Sequence, residues 1–552
     1  MDKNAIRKFA TFARSELIQK VSQKALEFGI SEENTSFTYK KVFTDEPLTN
    51  TEKTQLQALI KKIEEQGYNQ VIEEVAYTWF NRFIALRFME VNGYLPSHIR
   101  VFTDENDNLH PEILQEAINL QFENMDFEKV YELKEKSNDE ELFKYLLILQ
   151  CNDLNQYLPE MFQKINDYTE LLLPDNLLRK DSVIDKMINE IPNEDWTEQV
   201  EIIGWLYQYY NEEKKDQVVN IFKGNIKKED IPSATQLFTT DWVVRYIVDN
   251  SLGRYWIERN PQSKLAVDLK YLLGYKNEKI TYIDDPISIE DIKVLDPCMG
   301  SAHFSVYAFE VLMKIYLEQG YNERNAAKLI VEKNLFGLDL DDRAGQLAYF
   351  AIMMKALEYD KRFLTREIQP NFYSIQESNT LHNHVIDEFS KEDEQLKKDI
   401  STLIDQFRNA KNYGSIIQIE NVNFEKIFER FQAIENEVLL YKNDIQTKLR
   451  MIVNQAFVLS QKYDIVITNP PYLNKYNSDL KKYIMKNYAD YKQDLFSVFI
   501  YRNLLLCKPN GYCGFMTPNV WMFISSYEKL REYIIDNKTI SSLIQIAKGS
   551  FY

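Results

Sequence analysis

The chain has 552 residues, of which 45% are hydrophobic and 27% are charged, so it is long enough for about two or three domains with large cores. Its net charge of −18 excludes attraction of the whole molecule to nucleic acid, so any such site must be a local basic patch. No apolar run approaches the ~20 residues of a membrane helix, and the cysteines have neither zinc-ligand nor disulfide spacing. Because the N-terminus also lacks a signal peptide, we expect a cytoplasmic protein without a metal site or membrane contact.

Residues 1–230 are predicted to form a helical domain, because glycine is sparse and apolar residues recur at helical spacing. One apolar stripe runs from Ile72 to Met89 and ends before Gly93, a residue type that often follows the last turn of a helix. A second helix is predicted at 200–210. We expect the aromatic side chains of both segments to lie in a hydrophobic core.

Helices and strands alternate after residue 238, which is typical of a doubly wound α/β sheet. The predicted strand Ile292–Leu295 leads into a turn of small residues that opens a helix, where backbone must approach a ligand. This turn has no GxGxxG spacing and no Walker lysine, so neither a dinucleotide nor a nucleoside triphosphate is favoured. The candidate ligand-binding residues of the turn are Asp296, Pro297, Cys298, Gly300 and Ala302.

Asp339 ends the next predicted strand, where a carboxylate can accept hydrogen bonds from both hydroxyls of a ribose. A turn poor in glycine followed by a ribose-binding acid suits S-adenosylmethionine as the cofactor. Residues 381–462 then form a charged insertion that is rich in Glu and Lys and has no long apolar run. We expect this insertion to be a helical hairpin that projects from the sheet.

The most informative stretch is a β-branched run from Asp464 that stops at Asn469-Pro470-Pro471-Tyr472. Proline donates no N–H, so the strand must end there, and in open α/β sheets ligands bind at that edge. The pattern suits methylation of an amino group whose lone pair is delocalised. The Asn469 side-chain oxygen and the Pro470 carbonyl could accept both N–H bonds, while the Tyr472 ring could stack on a base, a contact worth ~1–3 kcal/mol.

A local basic patch follows this motif directly, between residues 472 and 492. Its lysines could hold phosphates, and its interleaved tyrosines could hold bases. A solvated helix face would explain the charges equally well, but the position beside the motif favours nucleic-acid binding. The last strand of the sheet is predicted at Ser542–Ile546.

The ordered motifs resemble those of DNA amino-methyltransferases. Phe238-Thr239-Thr240 resembles the family's F-x-T-P element, which contacts the methionine end of the cofactor. Residues 296–304 resemble D-P-A-C-G-S-G-H-F, with Ala302 in place of the second Gly. The segment around Glu377 resembles the G-D-S element beside the adenine ring, and 469–472 match the catalytic motif of N6-adenine methyltransferases without departure.

Longer stretches, at residues 5–14, 76–90 and 204–210, resemble the large adenine-specific methyltransferases of BREX phage-defence systems, the PglX family. The resemblance implies a helical N-terminal domain at 1–230 and a Rossmann-like methyltransferase domain at 231–552. Members of that family continue into a target-recognition region, which we expect to be absent from this chain. Double-stranded DNA and other phage-defence proteins are the implied partners.

The implied reaction is transfer of a methyl group from S-adenosylmethionine to N6 of an adenine flipped out of duplex DNA. Three alternatives stay open on sequence alone. The same motif occurs in enzymes that methylate protein glutamine, although those are compact. Structured RNA is a second possible substrate. The third alternative is a DNA-binding scaffold of a defence complex with weak or no catalysis, which the altered cofactor turn would permit.

Overall fold

A computed structural model describes residues 1–163, 167–197, 200–221, 228, 231–235, 239–274 and 280–546. The chain divides into two compact units, of which the first contains residues 1–213 with 364–367 and the second contains 214–363 with 368–552. Each unit has its own set of secondary-structure elements. The predicted boundary after residue 230 therefore lies inside the second unit.

The first unit is helical. Several of its helices begin at side chains that accept backbone N–H bonds, as Asp2, Thr49 and Ser182 do, because the first turn of a helix leaves these donors without partners. The helices are α1 (Lys3–Glu27), α2 (Asn50–Gln66), α3 (Tyr68–Val91), α4 (Glu112–Gln115), α5 (Phe127–Glu135), α6 (Asp139–Leu154), α7 (Tyr168–Leu171), α8 (Val183–Glu190), α9 (Asn193–Trp196) and α10 (Glu201–Ile221), the last of which continues into the second unit.

Helix α3 is the central element of the first unit and is buried on nearly all sides. Trp79 and Phe80 have no exposed surface, and the Phe80 ring lies 4.2 Å from the ring of Tyr210 in α10. Gly93 follows the helix with φ of 65°, a left-handed conformation that glycine adopts without strain. The prediction that both aromatic segments form core is confirmed.

The second unit is built on a parallel five-stranded sheet with the order β3-β2-β1-β4-β5. Its strands are β1 (Val294–Asp296), β2 (Leu335–Asp339), β3 (Asn371–Ser374), β4 (Tyr463–Thr468) and β5 (Cys507–Phe515). The predicted α/β class is confirmed. Because β1 lies between β2 and β4, the polar residues that follow these three strands share one edge of the sheet.

The helices of the second unit pack against this sheet or against one another. They are α11 (Ile231–Thr235), α12 (Asp241–Val248), α13 (Arg254–Arg259), α14 (His303–Glu318), α15 (Glu323–Leu329), α16 (Asp342–Tyr359), α17 (Asn383–Ser390), α18 (Glu394–Gln406), α19 (Phe424–Ala433), α20 (Lys442–Asp444), α21 (Arg450–Ser460), α22 (Ser478–Asn487), α23 (Leu495–Leu506) and α24 (Glu528–Asn537). Within the described ranges of the chain, no helix combines the length and the apolar composition that a membrane span requires.

The expectation that the insertion projects from the sheet as a hairpin is wrong. Its helices α17, α18, α19 and α21 share one hydrophobic core with the strands, in which Ile400 and Leu403 of α18 lie with Leu295 of β1 and Tyr463 of β4. The charged residues of the insertion occupy the outer faces of amphipathic helices. Such faces interrupt every apolar run in the sequence, although the helices still bury a continuous apolar surface.

The predicted last strand, Ser542–Ile546, is not a strand in the structure. Leu543 and Ile544 are exposed, and β5 is the terminal strand of the sheet among the described residues. The composition of the segment favours β-structure, but a strand needs a neighbouring backbone with which to pair. No such pairing partner lies beside the segment in the part of the chain that is described.

Gly337 lets the turn after β1 pack closely on β2. A Cβ atom at this position would lie 2.4 Å from the Met299 sulfur and 2.8 Å from a ring carbon of Phe372. We expect Gly337→Ala to lower the free energy of unfolding by about 1–3 kcal/mol, because the extra methyl group must displace packed neighbours. Urea denaturation measures the change, and an unaltered free energy of unfolding would contradict this packing.

Candidate cofactor and target site

Three strand ends meet at the carboxyl edge of the sheet, where Asp296 is the last residue of β1, Asp339 is the last residue of β2 and Asn469 directly follows β4. The strand pairing fixes their order, since Leu295 is opposite Phe336 on one side and Val466 on the other. The candidate cofactor acid and the candidate catalytic amide therefore lie on opposite sides of β1.

The turn Pro297–Ala302, called the cofactor loop below, is tied to both neighbouring strand ends. The Cys298 N–H donates to Asp296 Oδ1 at 3.1 Å, and the Gly300 N–H donates to Asp339 Oδ2 at 2.9 Å. Gly300 adopts φ of 52°, and a Cβ atom there would have nothing within 4 Å. The loop therefore has open space beside its backbone.

Burial perturbs both acids at the loop. It raises the pKa of Asp296 to about 7 and the pKa of Asp339 to about 6. The cost of burying the Asp339 carboxylate is partly offset, because this carboxylate also accepts a hydrogen bond from the Asp341 N–H at 2.9 Å. Asp296 Oδ2 is buried and has no hydrogen-bond partner in the described part of the chain. Perturbed carboxylates at a strand edge are typical of functional sites.

Asn469 is held at both ends of its amide. Its Nδ2 group donates to Thr239 Oγ1 at 3.1 Å, and its Oδ1 accepts from the Tyr472 hydroxyl at 3.0 Å. An amide oxygen has two lone pairs, so Oδ1 can accept one further hydrogen bond. The arrangement holds the amide between two hydroxyl groups, with its Oδ1 on the Tyr472 side. Pro470 is buried and Pro471 is partly buried.

Tyr472 has a structural partner in addition to Asn469. Its hydroxyl also lies 3.0 Å from the Met516 carbonyl, and its ring meets the Phe496 ring edge-on at 6.1 Å. Burial raises the pKa of the Tyr472 hydroxyl above its usual value, so this group stays protonated and can donate. The residue therefore orients Asn469, a role that the motif alone did not indicate.

The F-x-T-P-like element is only partly described. Phe238 lies outside the described residues. Thr239 is buried and bonds to Asn469, so it is closer to the predicted target side than its assignment as a cofactor residue implied. Thr240 precedes α12 and its hydroxyl oxygen is buried without a hydrogen-bond partner in the described chain. It could accept or donate a hydrogen bond to a ligand.

Glu377, the candidate residue beside an adenine ring, follows β3 and has several local partners. Its carboxylate accepts from the Lys411 backbone N–H at 3.0 Å and from Asn379 Nδ2 at 3.1 Å, and it pairs with Lys228 at 2.6 Å. These bonds hold it at the same sheet edge as Asp339.

Asp494 is a further residue of the site that the sequence analysis missed. It accepts from the Leu473 N–H at 3.0 Å and caps α23 through the Phe496 N–H at 3.2 Å. The backbone just after Tyr472 is thereby fixed to α23. An aspartate directly before an apolar helical run is a helix-cap signal, and this signal could have identified it.

The lysines of the basic patch on α22 are exposed, but two of the four tyrosines expected to hold bases are buried. Lys481, Lys482 and Lys486 of α22 are exposed. Tyr476 and Tyr488 are buried in a hydrophobic cluster beneath the helix, so they cannot stack on bases. Aromatic and basic residues alternate here because α22 is amphipathic, with one face in the core and the other in solvent.

The site contains no evident metal centre. In the described ranges, no three His, Cys, Asp or Glu side chains lie close enough together to hold a metal ion.

The chain is similar to known methyltransferases. A model of the Eco57I restriction-modification methylase family matches residues 333–551. The adenine-specific methyltransferase BrxX of Escherichia coli O9:H4 (strain HS) is 36% identical, over 100% of this chain and 49% of that protein. The adenine-specific methyltransferase PglX of Lacticaseibacillus casei (strain Zhang) is also 36% identical, over 96% of this chain and 48% of that protein.

The predicted resemblance to the BREX adenine-specific methyltransferases is confirmed. Sequence identity of 36% extends through the helical first unit as well as the sheet of the second unit. The chain spans about half the length of the curated relatives that it matches.

Ala302 is strained in the cofactor loop. It adopts φ of 69°, a left-handed conformation that costs a residue with a side chain roughly 1–2 kcal/mol. We expect Ala302→Gly to raise the free energy of unfolding by about 1 kcal/mol, as measured by urea denaturation. The matched control Ala308→Gly, inside α14, should lower it by about 1 kcal/mol or more, because glycine disfavours a helix interior. Destabilisation by both changes would contradict the strain.

Proposed function

We propose that this chain carries the cofactor site and the catalytic site of a DNA N6-adenine methyltransferase of a BREX-like defence system, acting in the bacterial cytoplasm. The observation that carries the proposal is the pair of hydrogen bonds that orients Asn469, with its Oδ1 acceptor positioned at the edge of the sheet. The acid of the next strand, Asp339, lies at the same edge. An acceptor for an amino group beside a ribose-binding acid suits transfer from a nucleoside cofactor to a base.

The cofactor that fits is S-adenosylmethionine, which supplies an electrophilic methyl group on a positively charged sulfur. The open space beside Gly300 can admit a ligand against the loop backbone. Asp339 has two backbone donors, and an ionised carboxylate offers roughly four acceptor positions, so two ribose hydroxyls can still bind. Glu377 would lie beside the adenine ring, and Thr240 would face the methionine end.

The target amino group would donate its two N–H bonds to Asn469 Oδ1 and to the Pro470 carbonyl. These acceptors draw the nitrogen away from planarity, so its lone pair becomes available for attack. The nitrogen proton is acidic once the nitrogen is alkylated, so no strong base is needed at the site. Positioning of the two reactants supplies most of the rate gain.

Duplex DNA is the substrate that the restriction-modification family match and the lysine face of α22 support together, and the relatives' names specify adenine. N6 of adenine lies inside the base stack, so the base must be flipped into the site. The lysines can hold phosphates without reading sequence, which is the usual division of contacts in DNA recognition. Methylation of RNA, of protein glutamine, or binding without catalysis would each contradict the proposal.

The Tyr472 hydroxyl is expected to act through Asn469. Tyr472→Phe keeps the ring but removes the hydrogen bond to Asn469 Oδ1, so methyl transfer should slow about tenfold, equivalent to ~1.4 kcal/mol. Asn469→Ala removes the acceptor itself and should slow transfer at least about a hundredfold. Single-turnover transfer of a radiolabelled methyl group to DNA measures both rates.

Measuring the affinity for the cofactor separates these effects on methyl transfer from damage to the cofactor site. Both variants should bind S-adenosylmethionine within about twofold of the unmodified protein, because the cofactor loop is unchanged. Tyr131→Phe, at an exposed position of α5, is the matched control and should transfer at the normal rate. Normal transfer by the Asn469 variant would refute the proposed catalytic role.

The lysine face of α22 should contribute to DNA affinity without affecting the cofactor. Combined Lys481→Gln, Lys482→Gln and Lys486→Gln should reduce the slope of log affinity against log salt by about 2–3, since each phosphate contact contributes ~0.9. Fluorescence anisotropy with a random duplex measures this slope. Changing Lys129, Lys134 and Lys136 of the first unit to Gln should leave the slope unaltered, and equal slopes for all proteins would contradict a role for α22.

A further inference from the structure

One segment of the insertion connects the candidate cofactor loop to the lysine-bearing helix. Residues 409–418, called the bridge segment below, lie between α18 and α19 and form short 3₁₀ turns, 410–412 and 414–416. The sequence gives no motif for this segment. Its importance appears only from its contacts, which reach the chain just after β1, β2 and β3.

On the cofactor side, the bridge segment makes four polar contacts. The Ser415 hydroxyl is buried and donates to the Pro297 carbonyl of the cofactor loop at 2.5 Å. The Lys411 ammonium donates to the Leu340 carbonyl at 3.0 Å and pairs with Asp342 at 2.6 Å. Since Leu340 directly follows Asp339, these contacts act on the backbone that positions the ribose acid. Lys411 also fixes Glu377 through its backbone N–H.

On the opposite side, the bridge segment is joined to α22. The Tyr413 ring stacks on the Tyr483 ring with centroids 4.4 Å apart, and Asn477 Nδ2, at the cap of α22, donates to Asn412 Oδ1 at 3.0 Å. The Tyr488 hydroxyl donates to the Ile416 carbonyl at 2.5 Å. The buried face of α22 thus rests on the bridge segment, and its exposed face carries the lysines.

We propose that the bridge segment couples cofactor binding to nucleic-acid binding, with Ser415 and Lys411 as positioning residues on the cofactor side and Tyr413 on the α22 side. This inference rests on the proposed function, because it assumes both ligands. A shift of the cofactor loop moves the Pro297 carbonyl, to which the bridge segment is bonded, and the stacked tyrosines pass the shift to α22. By linkage, each ligand then strengthens the binding of the other by the same factor.

The test measures the affinity of a fluorescent random-sequence duplex with and without sinefungin, a non-reactive cofactor analogue. In the unmodified protein, sinefungin should strengthen duplex binding about tenfold, within the usual range for coupled sites. Ser415→Ala and Tyr413→Leu should each reduce this ratio below about twofold, while duplex affinity without sinefungin stays within about twofold. The double variant should show the same ratio of duplex affinities as either single variant, because each change alone already breaks the connection between the cofactor loop and α22.

Matched variants separate coupling from loss of structure. Ser401→Ala removes a hydroxyl that donates to the Lys397 carbonyl within α18 of the same insertion, and it should keep the full ratio. Lys411→Met, at a partly exposed position, should lower the ratio without lowering the melting temperature, and Lys411→Arg should restore it. A ratio of one in the unmodified protein, or a full ratio in both Ser415→Ala and Lys411→Met, would overturn the coupling. Absence of sinefungin binding to the unmodified protein would instead overturn the proposed function.

Discussion

Two hydrogen bonds hold the amide of Asn469 in place with its Oδ1 on the Tyr472 side, and the chemistry that we propose depends on that orientation. A free asparagine at the end of a strand can present either its oxygen or its nitrogen to a ligand. Here the amide nitrogen donates a hydrogen bond to the Thr239 hydroxyl, and one lone pair of the amide oxygen accepts a hydrogen bond from the Tyr472 hydroxyl. The remaining lone pair can accept an amino proton. Since Thr239 lies 230 residues before Asn469 in the chain, the folded second unit must supply this partner.

The parallel sheet brings these groups together at one edge, but this arrangement costs free energy because it buries two carboxylates. Bringing the ends of β1, β2 and β4 to one edge places Asp296 and Asp339 in a buried environment, which raises the pKa of both. The Gly300 and Asp341 N–H groups offset part of this cost at Asp339. A ligand that donates hydrogen bonds to these carboxylates would offset more. A strained, incompletely satisfied edge is therefore consistent with selection for binding rather than for stability alone.

The sequence was sufficient for features that depend on local pattern. The β-branched run before Asn469 and the aromatic stripe of α3 each follow from the spacing of apolar residues, and both have the predicted structure. Features that depend on contacts between distant segments were not predictable in this way. The segment after Tyr472 has the composition of a base-binding surface, but Tyr476 and Tyr488 are buried, and Tyr483 stacks on Tyr413. The insertion has the composition of a solvated hairpin, but its helices cover the sheet.

In the candidate site, too, local pattern predicted some features, and contacts between distant segments determined the others. The positions of Asp339 and Asn469 follow from where their strands end, whereas the bond from Thr239 to Asn469 and the contact of Ser415 with Pro297 join residues far apart in sequence. No spacing rule connects such pairs. The failed strand at Ser542–Ile546 has a related cause, because strand propensity does not supply the neighbouring strand that hydrogen bonding requires.

The most direct test of the account is identification of the methylated product. Duplex DNA incubated with the chain and isotopically labelled S-adenosylmethionine can be digested to nucleosides and analysed by mass spectrometry. We expect the label in N6-methyldeoxyadenosine, and its loss when Asn469 is changed to Ala. Label in a cytosine, label only in protein, or no transfer by a protein that binds both ligands would contradict the assignment of this site to adenine methylation.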